Sequence, residues 1–332
     1  METSRLDLTE LINEGQQSYQ PFREAFEGAR SRAQSAWQRT CVEAFRNRAS
    51  EMEARRAISD LALGPYVRQL SEQPNYLTAL ERIRGEVPTV SLPGLSREDE
   101  ALGHATRNFW NDIIVAAFGQ FGETLDVFGP PYAGQGAERQ GGPHHLQQAS
   151  ADRQQGRLQF AHTVGVEGGG SFVSAALWSH FMRRSPGFPP GQGNAGIAQV
   201  RPFVPFSNRW ETVSNIAPAH NKAGWGVFVA SEDLNGADEQ VEQNHQYWFF
   251  TDSTAWFEHH SNPGAPNPYE DHALSFQNQA PWFLIRPGRL YSMAVWCFGE
   301  CDANGRSITG ESFAAAAVQA KMHFCVVAQS KN

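Results

Sequence analysis

Residues 290–298 read Leu-Tyr-Ser-Met-Ala-Val-Trp-Cys-Phe, with large apolar side chains at both odd and even positions. Because successive side chains of a β-strand point to opposite faces of its sheet, this stretch predicts a strand that is buried on both faces. The segments 171–182 and 246–252 share the property. A sheet with one face in water alternates apolar and polar residues instead, so we expect a second layer outside this sheet.

The outer cover of this sheet has three candidates: the N-terminal part of the same chain, a second copy of the protein, and a bound ligand. Large apolar faces seldom stay exposed to water, and each candidate would bury this one. The sequence leaves the choice among the three open.

Residues 157–332 are predicted to form an antiparallel β-sandwich of jelly-roll-like type. Eight short segments follow the two-residue period of a strand, at 158–166, 171–182, 198–206, 225–231, 246–252, 282–286, 290–298 and 315–328. Turn-forming pairs such as Asn235-Gly236 and Asn304-Gly305 separate them. No segment long enough for a crossover helix lies between these strands, which disfavours a parallel α/β sheet.

The N-terminal part follows the period of an amphipathic helix to about residue 58. Its apolar face recurs at every third or fourth position, with Phe22, Phe26, Ala29, Ala33, Ala36, Trp37, Cys41 and Phe45 as members. Pro21 is expected to start a helix, because the first turn tolerates proline. Further helices are predicted over about 58–72, over about 75–84, and from the N-cap Ser96 to about 121.

These patterns predict an α+β multidomain protein. Residues 1–128 form the helical region, interpreted as an oligomerisation or packing domain. Residues 129–156 are rich in Gly, Gln and Pro and bury too little apolar area to offset their ordering entropy, so a flexible linker is predicted before the sandwich of residues 157–332. The residues assigned to an oligomer interface are Phe22, Phe26, Trp37 and Phe45.

Composition excludes several classes of protein. The formal net charge of −8, with 40% hydrophobic and 19% charged residues, describes a globular chain without the basic excess of a nucleic-acid binder. No leader and no run of about 20 apolar residues is visible, so we expect a chain made as a soluble cytosolic protein without an integral membrane segment; its final site stays open, including delivery outside the cell. For Cys297 and Cys301, reduced thiols are favoured over a local disulfide.

Histidines near residue 260 are the main candidates for a metal site. Glu258-His259-His260 and Glu270-Asp271-His272 bracket a loop, but adjacent strand residues point apart and the spacing matches no compact ligand pattern. We therefore predict no metal, with His259, His260 and His272 as weak candidates. The sequence contains no Gly-x-Ser-x-Gly elbow, Walker loop or dinucleotide fingerprint, so it predicts no catalytic residue and no cofactor.

Aromatic residues beside polar loops favour carbohydrate binding. A flat ring stacks on the C–H face of a sugar, while Asp and Asn side chains satisfy its hydroxyl groups. The predicted ligand-binding residues are Trp256, Tyr269, Asn262 and Asp271, and Trp256 is the strongest of them.

The favoured function is a non-enzymatic binding and assembly protein, in which the helices build a homo-oligomer and the sandwich binds a surface ligand such as a glycan. One alternative is a toxin-like protein with membrane-active helices and a β-sandwich attachment domain. A second is a metal- or carboxylate-dependent hydrolase that uses the 252–272 loop. A jelly-roll shell or filament subunit is a third.

Overall fold

The computed structural model describes residues 8–76, 78, 124–142, 145–165, 168–185, 187–215, 217–255, 257–262, 281–307 and 310–331. The helices are α1 (Leu8–Ser18), a short 3-10 helix (Gln20–Phe22) and α2 (Arg23–Ser71). None of the helices in these ranges is long and apolar enough to cross a membrane. The helices predicted at 75–84 and 96–121 lie largely or wholly outside the described residues.

A five-stranded antiparallel sheet, which we call the central sheet, contains the stretch 290–298. Its strands in spatial order are β2 (Gly134–Gly141), β5 (Gly169–Met182), β12 (Arg289–Ala303), β8 (Ala219–Asp233) and β9 (Gln240–Thr254). The middle strand β12 pairs with β5 on one side and with β8 on the other. The strand predicted at 290–298 is therefore confirmed, with neighbours on both edges.

Two further antiparallel sheets complete the strand-rich part. A six-stranded sheet contains β10 (His259–Asn262), β7 (Phe206–Ser214), β14 (Gly310–Lys321), β4 (Arg157–Val164) and β3 (Gln147–Asp152), with β13 (Gly305–Ser307) beside β14. A four-stranded sheet contains β1 (Thr124–Phe128), β15 (Phe324–Lys331), β6 (Gly196–Phe203) and β11 (Phe283–Ile285). The α+β class is confirmed, and the jelly-roll-like sandwich stays a prediction.

The inner face of the central sheet packs against the six-stranded sheet. Met293 and Val295 of β12 share one buried cluster with Phe160 of β4 and Val318 of β14. Aliphatic and aromatic side chains from both sheets fill the space between them, which removes these faces from water. The four cysteines are buried free thiols, so the preference for reduced cysteines is confirmed.

Helix α2 covers the outer face of the central sheet. Trp37 is 1% exposed, and its ring lies edge-on to Trp178 and Trp296, with centroids 6.2 and 5.9 Å away. Small residues on the same helix face are buried with it, namely Ala29, Ala33, Ala36 and Cys41. Of the three candidate covers, the structure shows the N-terminal part of the same chain.

The residues predicted as an oligomer interface face this chain's own sheet instead. Phe26 and Trp37 are buried, and Phe22 and Phe45 pack against the same buried clusters. Two of the four side chains are thus buried inside one chain, and the assignment of all four to an oligomer interface stays a prediction. The buried helix face itself was predicted from the correct period. Self-association as such stays a prediction.

The segment predicted as a flexible linker, 129–156, contains two strands. Strand β2 pairs with β5, and β3 pairs with β4. The glycines of β2 serve a close approach of helix α2, since a Cβ on Gly134 would lie 2.6 Å from Cδ of Arg30. Glycine here indicates tight packing against a helix, and the ladder satisfies the backbone hydrogen-bonding groups. The wider domain division stays a prediction.

Other boundaries also differ from the prediction. Helix α2 continues through residue 58 and contains Pro65, because a proline weakens a helix without always ending it. The strand predicted over 315–328 is two strands, β14 and β15. Strand β7 was not predicted, since polar residues occupy many of its positions.

Candidate ligand-binding cleft

The outer face of the central sheet changes from apolar to charged along β12. The outward side chains beneath α2 are Ala294, Trp296 and Phe298. Glu300 and Asp302 continue the same alternation, and they line a cleft together with Glu51 and Arg55 of α2. The apolar contact between helix and sheet therefore ends before the helix does, and the cleft opens where it ends.

This cleft, which we call the outer-face cleft, has a volume of about 390 Å³. It lies between α2 and one end of strands β8, β9 and β12, and it is lined by Glu51, Arg55, His220, Asn221, Lys222, Thr251, Asp252, Ser253, Glu300 and Asp302. Four of these side chains are carboxylates and two are Arg or Lys, so the cleft carries an excess of negative charge.

Trp248 of β9 is 44% exposed, and it lies next to the outer-face cleft because Lys222, which lines the cleft, is 5.0 Å from its ring. A β-bulge in β9, opposite Ala223 and Gly224 of β8, leaves Phe249 without a register partner. A bulge re-aims the residues around it, and here both Phe249 and Phe250 pack against the core while Trp248 points outward. The local backbone thus places a large aromatic ring at the surface of an otherwise buried strand.

Lys222 joins the Trp248 ring to the carboxylates of the cleft. Its Nζ lies 3.3 Å from Oε2 of Glu300 and 5.0 Å from the centroid of the Trp248 ring. An ammonium group near a tryptophan ring is attracted by the ring's quadrupole, so both contacts restrain the lysine. The rings of Phe298 and Trp248 pack in a T-shaped arrangement with centroids 5.3 Å apart, which also holds the Trp248 ring in place.

Asp252 supplies a hydrogen-bond acceptor that no described residue uses. Its Oδ1 accepts a hydrogen bond from Nδ1 of His260 at 2.9 Å, a contact that joins β9 to β10. Its Oδ2 is buried and has no hydrogen-bond partner among the described residues. A buried oxygen without a donor typically costs about 1–3 kcal/mol, so a donor from a ligand would be favoured here.

A Cys/His pair behind the cleft does not form a catalytic dyad. Sγ of Cys301 lies 3.2 Å from Nε2 of His162 and 3.1 Å from Oδ1 of Asn221. Burial raises the pKa of the Cys301 thiol well above its usual value and lowers the pKa of His162 to about 3. Both groups are therefore neutral near pH 7, whereas a nucleophilic cysteine needs a thiolate.

Only one of the residues predicted to bind a ligand lies within the described ranges. Asn262 is in β10, and its Nδ2 donates a hydrogen bond to Oδ1 of Asn208 at 3.1 Å. Trp256, Tyr269 and Asp271 lie outside the described residues. The predicted set therefore stays a prediction, although the contact between His260 and Asp252 brings β10 next to the outer-face cleft.

The two described histidines named as weak metal candidates have separate carboxylate partners. Nε2 of His259 lies 2.8 Å from Oε1 of Glu211, while His260 contacts Asp252. Within the described part of the chain, no group of three or more His, Cys, Asp or Glu is placed to hold a metal ion. His272 lies outside the described residues.

Sequence reasoning missed the residues that form the outer-face cleft. Trp248 lies in the segment 246–252, which was predicted as a strand buried on both faces, so nothing distinguished it from buried tryptophans. The usable signal is in β12, where the outward positions change from Phe298 to Glu300 and Asp302. Such a change on one strand face marks the place where a covering helix stops excluding water.

No protein-family model matches the sequence, and a comparison with curated proteins gives no match. Among solved structures, the enzymatically active domain of tailspike protein 4 of bacteriophage CBA120 gives a TM-score of 0.18 at 9% identity. That alignment covers 57% of this chain and 19% of the tailspike chain, so this chain corresponds to less than a fifth of that protein.

Carbohydrate-binding modules are also among the weak structural neighbours. TmCBM61 in complex with beta-1,4-galactotriose has a TM-score of 0.12 at 9% identity, covering 55% of this chain and 88% of its own. A structure of carbohydrate-binding modules from the β-sandwich superfamily has a TM-score of 0.14 at 8% identity, covering 60% of this chain and 56% of its own. Scores this low do not establish a shared fold.

Proposed function

We propose that the protein is a non-enzymatic glycan-binding protein and that the outer-face cleft holds the saccharide. The observation that carries the proposal is the exposed ring of Trp248 beside a cleft lined by carboxylates, with Lys222 between them. The outer-face cleft has a volume of about 390 Å³, within the range of roughly 300–1,000 Å³ that is typical of small-molecule sites.

Each part of a sugar finds a complementary group in this cleft. The C–H face of a pyranose stacks on the Trp248 ring, and its hydroxyl groups donate hydrogen bonds to Glu300 and Asp302. The unused Oδ2 of Asp252 accepts a further hydroxyl hydrogen bond. The Lys222 ammonium donates to a hydroxyl or ring oxygen while it keeps its contact with Glu300.

The charge of the cleft selects among saccharides. Four carboxylates against two basic side chains repel a sugar that carries a carboxylate or sulfate group. We therefore expect neutral saccharides, or sugars with a free amino group, to bind better than acidic ones.

Binding to a glycan array, followed by titration of the best saccharide, tests this function. We expect the wild type to bind neutral saccharides and Trp248→Ala to bind them at least about tenfold more weakly, because the stacking surface is lost. The matched control is Phe188→Ala, which removes an aromatic side chain that is 56% exposed and lies outside the cleft.

Two results would contradict the proposal. One is an array on which the folded wild type retains no saccharide. The other is a Trp248→Ala variant that binds as tightly as Phe188→Ala.

A further inference from the structure

A second cavity lies at the other end of helix α2 and is separate from the outer-face cleft. It has a volume of about 410 Å³ and lies between the start of α2, strand β5 and residues 128–133. We call it the N-terminal cavity. Its lining shares no residue with that of the outer-face cleft, so the two sites can be tested independently.

Aromatic rings form one wall of the N-terminal cavity. Phe26 stacks on His180 with centroids 5.0 Å apart, and Tyr19 packs edge-on against Phe26 at 5.9 Å. The Tyr19 hydroxyl donates a hydrogen bond to Oδ2 of Asp126 at 2.7 Å, and the Tyr132 hydroxyl donates to a backbone carbonyl. Both tyrosine hydroxyls are thus engaged elsewhere, and the wall offers ring surface to a ligand.

Two guanidinium groups meet at the rim of this cavity. Nη1 of Arg30 and Nη1 of Arg153 both donate hydrogen bonds to the carbonyl oxygen of Ala133, at 2.6 and 3.1 Å. Among the described residues neither arginine has a carboxylate partner. Two like charges converging on one neutral acceptor repel each other, and an anion between them would remove that repulsion.

The remaining charges near the cavity leave this positive rim uncompensated. Among the described lining residues Glu27 is the one carboxylate, and it pairs with Arg23 at 3.4 Å. Burial, reinforced by the charge of Arg30, lowers the pKa of His180 to about 3, so this imidazole is neutral near pH 7. The arginines therefore give the cavity a net positive charge.

The backbone of β2 makes room for Arg30. A Cβ on Gly134 would lie 2.6 Å from Cδ of Arg30, so the glycine leaves room for the arginine stem where it crosses the strand. The stem is thereby held against β2 and its guanidinium group is directed to Ala133. Arg30 is positioned by packing before any ligand arrives, which lowers the entropic cost of binding.

We infer that the N-terminal cavity binds a small organic acid in which a carboxylate is attached to a six-membered ring. The carboxylate lies between Arg30 and Arg153, and the ring rests on the aromatic wall of Phe26 and His180. A guanidinium group matches a carboxylate with two parallel hydrogen bonds. Two classes of compound present this pair of features, the sugar acids and the aromatic acids.

Calorimetric titration of the Trp248→Ala variant with glucuronate, benzoate, glucose and benzyl alcohol tests the inference, because this variant suppresses binding of glucose at the outer-face cleft. We expect glucuronate or benzoate to bind and the matching neutral compound to bind at least about tenfold more weakly. Which acid binds identifies the source. Affinity for the acid should also fall as salt is raised, because the rim charges are partly exposed.

Arg153→Gln is the informative variant, since Arg153 is exposed and its loss leaves no buried group unpaired. We expect it to weaken acid binding at least about tenfold. Arg157→Gln is the matched control, because it removes the same charge from an exposed position outside the cavity.

Trp248→Ala should bind the acid like the wild type, which separates this site from the glycan proposal. The inference is overturned if neither acid binds, if the neutral compounds bind as tightly as the acids, or if Arg153→Gln and Arg157→Gln have the same affinity.

Discussion

Two buried histidines make the stability of the protein sensitive to acid. His162 contacts Ser171 and Cys301, while His180 contacts Ser292 through Nδ1 at 3.0 Å. Burial lowers the pKa of each to about 3, against 6.5 for the ordinary side chain. The unfolded chain therefore binds protons at these positions between pH 6.5 and pH 3 while the folded chain does not.

This difference in proton binding makes the folded state less stable as the pH falls. The contribution of each neutral histidine is fully present above pH 6.5 and is lost as the pH falls towards 3, by about 1.4 kcal/mol per pH unit. We expect His162→Gln and His180→Gln each to reduce the loss of unfolding free energy between pH 7.5 and pH 5. Denaturant titrations at the two pH values measure it.

The values at pH 7.5 serve as the internal reference for each variant, because both histidines are neutral there in either state. A variant with a lower free energy of unfolding at pH 7.5 remains informative, because the prediction concerns only the change in that free energy between the two pH values. If both variants lose as much stability as the wild type on acidification, these histidines are not the cause.

At the scale of single residues, the residue type alone does not show whether a side chain is buried or exposed. Trp37 and Trp248 are the same residue type, yet one is 1% and the other 44% exposed. The helical period predicted burial for Trp37 correctly. The exposure of Trp248 depends on a bulge in β9, and such an irregularity follows from pairing with β8, which sequence alone does not reveal.

Among the elements, helix α2 both covers the central sheet and shapes the outer-face cleft. Its first half excludes water from the apolar outer face of the central sheet, and its continuation forms a wall of the outer-face cleft. The sequence predicted the buried helix face because the 3.6-residue period is local. The partner of that face, and the strand character of residues 134–141, depend on contacts between distant residues.

Trp37→Ala tests whether this helix–sheet contact stabilises the fold. The substitution removes a ring packed between Trp178 and Trp296, and we expect a loss of about 3–5 kcal/mol in unfolding free energy. Denaturant unfolding of the full chain measures the change.

Trp248→Ala is the matched control for this experiment, because it deletes the same side chain from an exposed position. We expect it to cost much less than Trp37→Ala. Equal losses for the two variants would mean that α2 does not pack on the central sheet in solution as it does here.

In the whole molecule, the helices and sheets are stacked in layers: α2, the central sheet and the six-stranded sheet. Leu8, Leu11 and Ile12 of α1 pack against the buried cluster of the four-stranded sheet. The sequence predicted strand-rich and helical parts and the need for an outer cover. It did not predict three sheets, because the same two-residue period fits any pairing partner.

Self-association needs exposed apolar surface, which the buried face of α2 does not offer. The second half of α2 exposes Ile58, Leu61 and Tyr66, at 67%, 84% and 60%. We predict an oligomer in light scattering whose mass falls for Leu61→Glu, while Leu234→Glu, at an exposed position elsewhere, leaves it unchanged. A wild type that is monomeric at every concentration contradicts this prediction.

The central claim is that α2 leaves one end of the central sheet open as a saccharide site. Hydrogen–deuterium exchange of the full chain, with and without the neutral saccharide that binds best, tests it most directly. We predict slower exchange at residues 51–55 and at the ends of β8, β9 and β12, with residues 128–133 unchanged. Protection confined to other segments, with none at these strand ends, would contradict the claim.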